Sequence, residues 1–185
     1  MRLKQARVAP VTPDTWSAEQ QQVLEPFHTQ GQLYNVIATI GNNPEALRAF
    51  LAWGSYVLRR TALEPREREI IILRVGHLCR SDYEWAQHVR LARSVGMTTE
   101  EIAAIRVGAG ADLWDARART LLTATDELQR EHFVSDSTWG ALTAFMSPRQ
   151  CMDVVFIAGH YVQVCMMLNT FGVQLDPGLV SGSDH

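Results

Sequence analysis

Four consecutive apolar residues, Ile70-Ile71-Ile72-Leu73, lie inside a stretch that reads as one helix from Pro65 to about Cys79. Pro65 opens it, because a proline at the first helical position gives up only an N–H that would have no intrahelical partner. At ~100° per residue, four adjacent apolar side chains point in every direction around the axis. Such a helix has no face to offer water, so it must be surrounded, either at the centre of a bundle or between subunits. A chain that contains it is committed to packing its other elements around one rod.

Those other elements also read as helices. Asn43-Pro44 pairs a capping side chain with a first-turn proline, and Leu47, Phe50, Leu51, Gly54, Val57 and Leu58 follow at helical spacing. A third helix spans about Asp82 to Val95 and is stopped by Gly96. Thr98 to Glu101 and Ser147 to Gln150 are capping boxes. The first launches a short helix to about Val107. The second launches a long one through Val154, Ile157, Tyr161, Cys165 and Leu168 that ends at Gly172 and Pro177. Between them, Gly108-Ala109-Gly110 breaks the pattern, a helix starts near Asp115, and a short one follows Ser137. No stretch alternates with a period of two, and no repeat is present. The expectation is an all-α fold, a single-domain helical bundle. It has an arm with one short helix over 1–30, a helical domain over 31–177 and a loose tail over 178–185. Two very apolar helices in 185 residues also imply surface hidden between copies of the chain, a homo-oligomer.

Composition narrows the function classes. A net charge of −3 leaves no electrostatic footprint for nucleic acid. No apolar run approaches the ~18 residues of a membrane helix, and the first residues are polar rather than signal-like. The expected partner is therefore a small-molecule substrate, with no nucleic acid and no membrane, and the expected location is cytoplasmic. Cys79, Cys151 and Cys165 are odd in number and none sits in a Cys-x-x-Cys, which fits a reducing compartment. Cys151 and Cys165, on the long last helix, read as small hydrophobes.

The chemistry-bearing feature is the helix from Asp82 to Val95. Ser81, Glu84, Trp85, His88, Leu91, Ala92 and Val95 fall within an arc of about 120°. Asp82, Gln87, Arg90, Arg93 and Ser94 take the other side. Glu84 stands one turn before His88, close enough for the two side chains to touch. A buried carboxylate either finds a partner or has its pKa raised, and a raised Glu beside a His is what general acid/base work requires. A structural Glu–His pair bridging core and surface satisfies the same wheel, and spacing does not separate the two readings. A metal held by Glu69, Glu84 and His88 is disfavoured. Metal clusters usually carry more His or Cys, and the di-iron motif spaces Glu and His by three rather than four. Tyr83 lies off the inward arc, which favours packing or an interface. Arg74 reads first as the balance to a buried carboxylate and second as a substrate-carboxylate ligand. His160, beside Tyr161, reads first as a satisfied core histidine and second as a pocket residue. Trp53 and Trp85 read as core or pocket wall.

The run Glu64-Pro65-Arg66-Glu67-Arg68-Glu69-Ile70-Ile71-Ile72-Leu73-Arg74, followed by Tyr83-Glu84-Trp85 and His88, closely resembles the carboxymuconolactone decarboxylase family, which includes the alkylhydroperoxidase D-like proteins. The likeness extends through Asn35, Asn43-Pro44 and Leu168-Asn169-Thr170-Phe171-Gly172, covering about residues 31 to 177. It implies an all-helical fold assembled as trimers, hexamers or related oligomers. The family's peroxidase branch carries a Glu, a Cys-x-x-Cys and a His. On this chain the Glu is Glu69, the His is His88, and the two cysteine positions are Ser81 and Glu84. Without those thiols the dithiol cycle of that branch is removed, and Cys79, two residues early, has no partner at the right spacing. The lactone decarboxylase branch implies general acid/base catalysis on a small carboxylated lactone without metal or organic cofactor.

Glu69, Glu84 and His88 are therefore the candidate catalytic residues, with Ser81, Tyr83, Trp85, Asn35, Arg74 and His160 as candidate pocket residues and no cofactor. The expected activity is decarboxylation, isomerisation or a related lyase step on a small organic acid or lactone. A thiol peroxidase using Cys79 with an external thiol, and a non-catalytic oligomeric binding protein, are the alternatives.

Overall fold

A computed structural model describes residues 1–180; the expected loose tail at Ser181 to His185 lies outside the described residues. Among the described residues there are nine α-helices, two short 3-10 turns and no strand. The helices are α1 (Ala18–Thr29), α2 (Asn35–Ile40), α3 (Pro44–Arg59), α4 (Pro65–Leu78), α5 (Asp82–Ser94), α6 (Thr99–Val107), α7 (Ala116–Glu131), α8 (Asp136–Thr143) and α9 (Pro148–Phe171).

The surrounded rod is α4. Ile70, Ile71, Ile72 and Leu73 are each 0% exposed, and α5, α6, α7 and α9 all pack against this helix. Fully burying side chains of this size contributes roughly 1.5–3 kcal/mol apiece relative to leaving them in water. That gain is available only where neighbours cover every side, which is why α4 sits in the middle. A smaller apolar cluster of Val23, Leu24, Ile37, Ile40 and Leu47 seats α1 and α2 on α3.

Helix ends follow the local signals. Asn43 accepts from the Ala46 N–H, and reciprocal capping boxes close on Thr98–Glu101 and Ser147–Gln150. Gly96 takes φ +86° after α5, and Gly172 takes φ +70° after α9. Three details differ from expectation. The short helix after α7 is capped by Ser135, not Ser137, because Ser135 also bonds Glu127 on α7, a tertiary contact. In the arm, α1 runs for 12 residues and contains Pro26 within it. Asp82, expected on the outer side of α5, is buried, because the first residues of the chain cross the α4–α5 turn, where Arg2 donates to the Cys79 carbonyl.

Helix α9 also corrects the reading of apolar runs. Its most apolar window averages 1.6 in mean hydropathy, so by length and composition α9 is apolar enough to cross a membrane. Asp153 and His160 interrupt the run in the sequence, yet both are buried. Asp153 accepts from the Tyr56 hydroxyl and the Ala62 N–H, each at 2.7 Å. More than half of the window, 56%, is covered within the protein, where α9 lies along α3, α4, α5 and α7.

Candidate functional site

The link between α4 and α5 is only Cys79-Arg80-Ser81. Arg80 adopts φ +51°, and the Ser81 N–H donates back to the Gly76 carbonyl, so α5 folds straight onto α4. This hairpin brings Glu69 of α4 against Glu84 and His88 of α5. All three are buried, at 1%, 4% and 6% exposure. Nδ1 of His88 lies 2.7 Å from Oε2 of Glu69 in an aligned hydrogen bond. Nε2 lies 3.0 Å from Oε1 of Glu84, close enough for an ion pair, but that oxygen receives no aligned hydrogen bond. The guanidinium of half-buried Arg68 stands 3.7 Å from the other Glu69 oxygen. The Tyr161 ring meets the imidazole edge-on, with centroids 5.1 Å apart.

This arrangement sets the charge on the ring. Burial alone pushes the His88 imidazole down, but Glu84 and Glu69 together outweigh it and hold it up at about 10. At neutral pH His88 is thus an imidazolium between two carboxylates. Burial, with the same two carboxylates adding to it, pushes the Tyr161 phenol well up, so it stays protonated.

The other candidates divide. Trp85 is core, with the Arg106 guanidinium 4.7 Å above its ring. Ser81 is 1% exposed and lies beside Cys165. Arg74 is a structural hub: it grips both oxygens of Asp126 at 2.6 and 2.9 Å and donates to the Ile105 and Arg106 carbonyls at the end of α6. Tyr83 is buried on another flank of α5, where its hydroxyl donates to Asp176. Asp176 also accepts from Gln87 and from the Asn35 N–H, each at 2.7 Å. The Asn35 side chain donates to the Gln174 carbonyl at 3.0 Å. Asn35 and Tyr83 therefore latch the chain after α9 and do not contact the Glu–His–Glu group. His160 faces Phe50 and Tyr161; burial pushes it down to about 4, so it is neutral, and its Nδ1 has no hydrogen-bond partner among the described residues.

Two contacts were not foreseen. Tyr161 packs on the site while its neighbour His160 does not. Cys79 does have a partner: the Gln129 amide of α7 donates to its sulfur at 3.0 Å, and Cys165, on α9, lies near enough to shift its thiol. The i, i+4 spacing of Tyr161 and Cys165 was a usable signal that both share one face of α9, but which helices that face covers is a tertiary fact. Among the described residues no group of three or more His, Cys, Asp or Glu is arranged to hold a metal ion. The two carboxylates take opposite nitrogens of His88 and do not converge with it on a shared point.

An imidazolium and two carboxylates thus sit between the two helices of a buried hairpin inside an all-α bundle, and that bundle has the fold of AhpD-like proteins. A peroxidase-related protein from Ralstonia eutropha JMP134, with an alkylhydroperoxidase AhpD core, superposes with a TM-score of 0.79 at 21% identity, covering 93% of each chain. A peroxidase-related protein from Silicibacter sp. TM1040 gives 0.80 at 18% identity over 95% of each chain. The debrominase Bmp8 bound to 2,3,4-tribromopyrrole gives 0.76 at 13% identity over 94% of each. At these identities the likeness is one of fold. None of the curated proteins matches the sequence. Residues 44–127 match the model of the carboxymuconolactone decarboxylase family. The matched segment contains Glu69, Cys79, Glu84 and His88 and ends before Tyr161 and Cys165.

Proposed function

We propose that the protein is a cofactor-free enzyme of general acid/base type acting on a small organic acid or lactone. The observation that carries this reading is the asymmetry of the two contacts to His88. Glu69 holds Nδ1 in line, which fixes the orientation of the ring. Glu84 sits near Nε2 without alignment, so the Nε2 proton is the transferable one. Because the ring is charged near neutrality, it enters the reaction as an acid.

A decarboxylation then balances simply. The substrate carboxylate leaves as carbon dioxide and its bonding pair stays on carbon, delocalised into the neighbouring carbonyl. The imidazolium stabilises that charge and protonates the carbon from Nε2. Glu84 returns a proton from solvent to His88, while Glu69 keeps the ring in place. Isomerisation uses the same groups with the proton first removed by Glu84. Exposed Met152, Met166, Trp53 and Trp139 fit the further proposal of a homo-oligomer, to be tested by light scattering.

The test is turnover of a panel of γ-carboxylated lactones and small keto acids, followed by carbon dioxide release and by deuterium uptake into product in heavy water. A positioned general acid contributes about 10²–10⁴-fold, so His88→Ala and Glu84→Gln are each expected to lose activity on that scale. Unchanged turnover in both variants would sink the assignment.

A further inference from the structure

One charged side chain at the site takes no part in the proton chemistry: Arg68. It sits near the start of α4, next to Glu69, and only 14% of its side chain is exposed. Its Nε is sealed from solvent and has no hydrogen-bond partner among the described residues. The contact it makes to Oε1 of Glu69 is 3.7 Å long, an ion pair beyond hydrogen-bonding reach. Adjacent residues on a helix do not face each other, so the backbone does not impose this contact. The guanidinium is turned toward the Glu–His–Glu group, and its charge partly offsets the two carboxylates at the Tyr161 phenol. Other covered arginines are engaged. Arg74 grips Asp126 and two carbonyls, and Arg119 donates to the Ala109 and Trp114 carbonyls. A buried charged donor without an acceptor is costly, and a ligand that brings the acceptor removes that cost.

We infer that Arg68 is the residue that recognises the acid group of the substrate, a carboxylate seated on its guanidinium beside the Glu–His–Glu group. This role rests on the acid/base reading of the site and says how that site selects an anion. An imidazolium between two carboxylates leaves a net negative charge, which would repel an organic acid. The Arg68 guanidinium cancels that charge and offers donors in a fork that matches a carboxylate. The carboxylate it holds is one that the reaction keeps. A guanidinium on a departing carboxylate would stabilise the charge that has to be lost, and so raise the barrier. The pair is then the same in the ground state and in the transition state, so Arg68 determines specificity and leaves the proton transfer to His88. Arg74, which the sequence offers for this task, is committed to Asp126.

The experiment titrates the purified full-length protein with levulinate and with furoate, each beside its uncharged amide, at constant ionic strength. Binding is followed by the nuclear magnetic resonance signal of the Arg68 Nε–H and by calorimetry. The expected result is a saturable shift of that signal with the acids and none with the amides. Arg68→Gln should bind both acids at least ~10-fold more weakly, and Arg68→Lys, which keeps the charge but not the fork, should fall between. For any substrate turned over in the lactone and keto-acid panel, Arg68→Gln should raise KM by a similar factor and leave kcat nearly unchanged. No saturable shift with either acid, equal affinity for acid and amide, or unchanged acid binding in Arg68→Gln would overturn the inference. The wild-type titration does not depend on any variant folding. Acid binding without turnover would end the lyase reading and leave this role standing, whereas turnover at the wild-type KM in Arg68→Gln would do the reverse.

Discussion

Replacing Glu84 by Gln removes one of the two carboxylates that hold a proton on His88 and leaves the side chain's shape almost intact. The imidazole titrates near 6.5 in an unfolded chain and at about 10 in the fold. A group raised on folding contributes stability that is complete below the unfolded value and is lost as pH climbs through the folded one. In the window from about 6.5 to 10 the folded chain binds one proton more than the unfolded chain. Stability therefore falls by about 1.4 kcal/mol per pH unit, to a ceiling of about 5 kcal/mol. Glu84 is the largest of the contributions that raise the ring. In Glu84→Gln about half of the pH-dependent loss or more, ~2 kcal/mol, should disappear. Urea denaturation at half-unit steps from pH 6 to 10 measures this directly, read as the difference between variant and wild type so that other titrating groups cancel. Parallel curves for the two proteins would refute the charged Glu–His–Glu arrangement, whatever the catalytic activity.

Three further expectations rest on other contacts. Asp176→Ala strips the acceptor from Tyr83, Gln87 and Asn35 and should cost about 2–4 kcal/mol in urea. Adding Tyr83→Phe to it should cost much less than Tyr83→Phe alone, the signature of a shared bond. At Gly108, φ is +84° and an added Cβ would sit 2.6 Å from the Arg74 guanidinium. Gly108→Ala should therefore cost about 2–4 kcal/mol through loss of the Arg74–Asp126 grip. Iodoacetamide should modify Cys79 at pH 7 at least ~10-fold faster than Cys151, with a rate that reaches half its plateau near pH 7. A profile centred above pH 8 would remove the case for an activated thiol.

How much of this was readable beforehand follows from distance along the chain. The caps at Asn43, Thr98 and Ser147 were legible because donor and acceptor lie three residues apart. The Glu84–His88 contact was legible for the same reason, one turn of helix. The central place of α4 followed from four residues with no polar face. Glu69 entered through the family resemblance, since its own helix is apolar on every side and singles out no direction. Asp176 was out of reach: its partner Tyr83 stands 93 residues away, and no periodicity connects such positions. For Cys79 the search for a partner ran along the helix, while the donor to its sulfur, Gln129, came from α7. Tyr161 and His160 illustrate the same limit, because neighbours on one helix turn to different surroundings and only the packing says which of them meets His88.

The Glu–His–Glu group is written within one hairpin, whereas Cys165 is sealed only while α9 lies against it. A brief lifting of α9 would leave the carboxylates around His88 but bare Cys165, which is otherwise 0% exposed. Slow labelling of Cys165 in the reduced protein therefore reads the opening of α9 as a clock. Its rate, set against that of an exposed thiol, gives the free energy of that one motion without unfolding the rest.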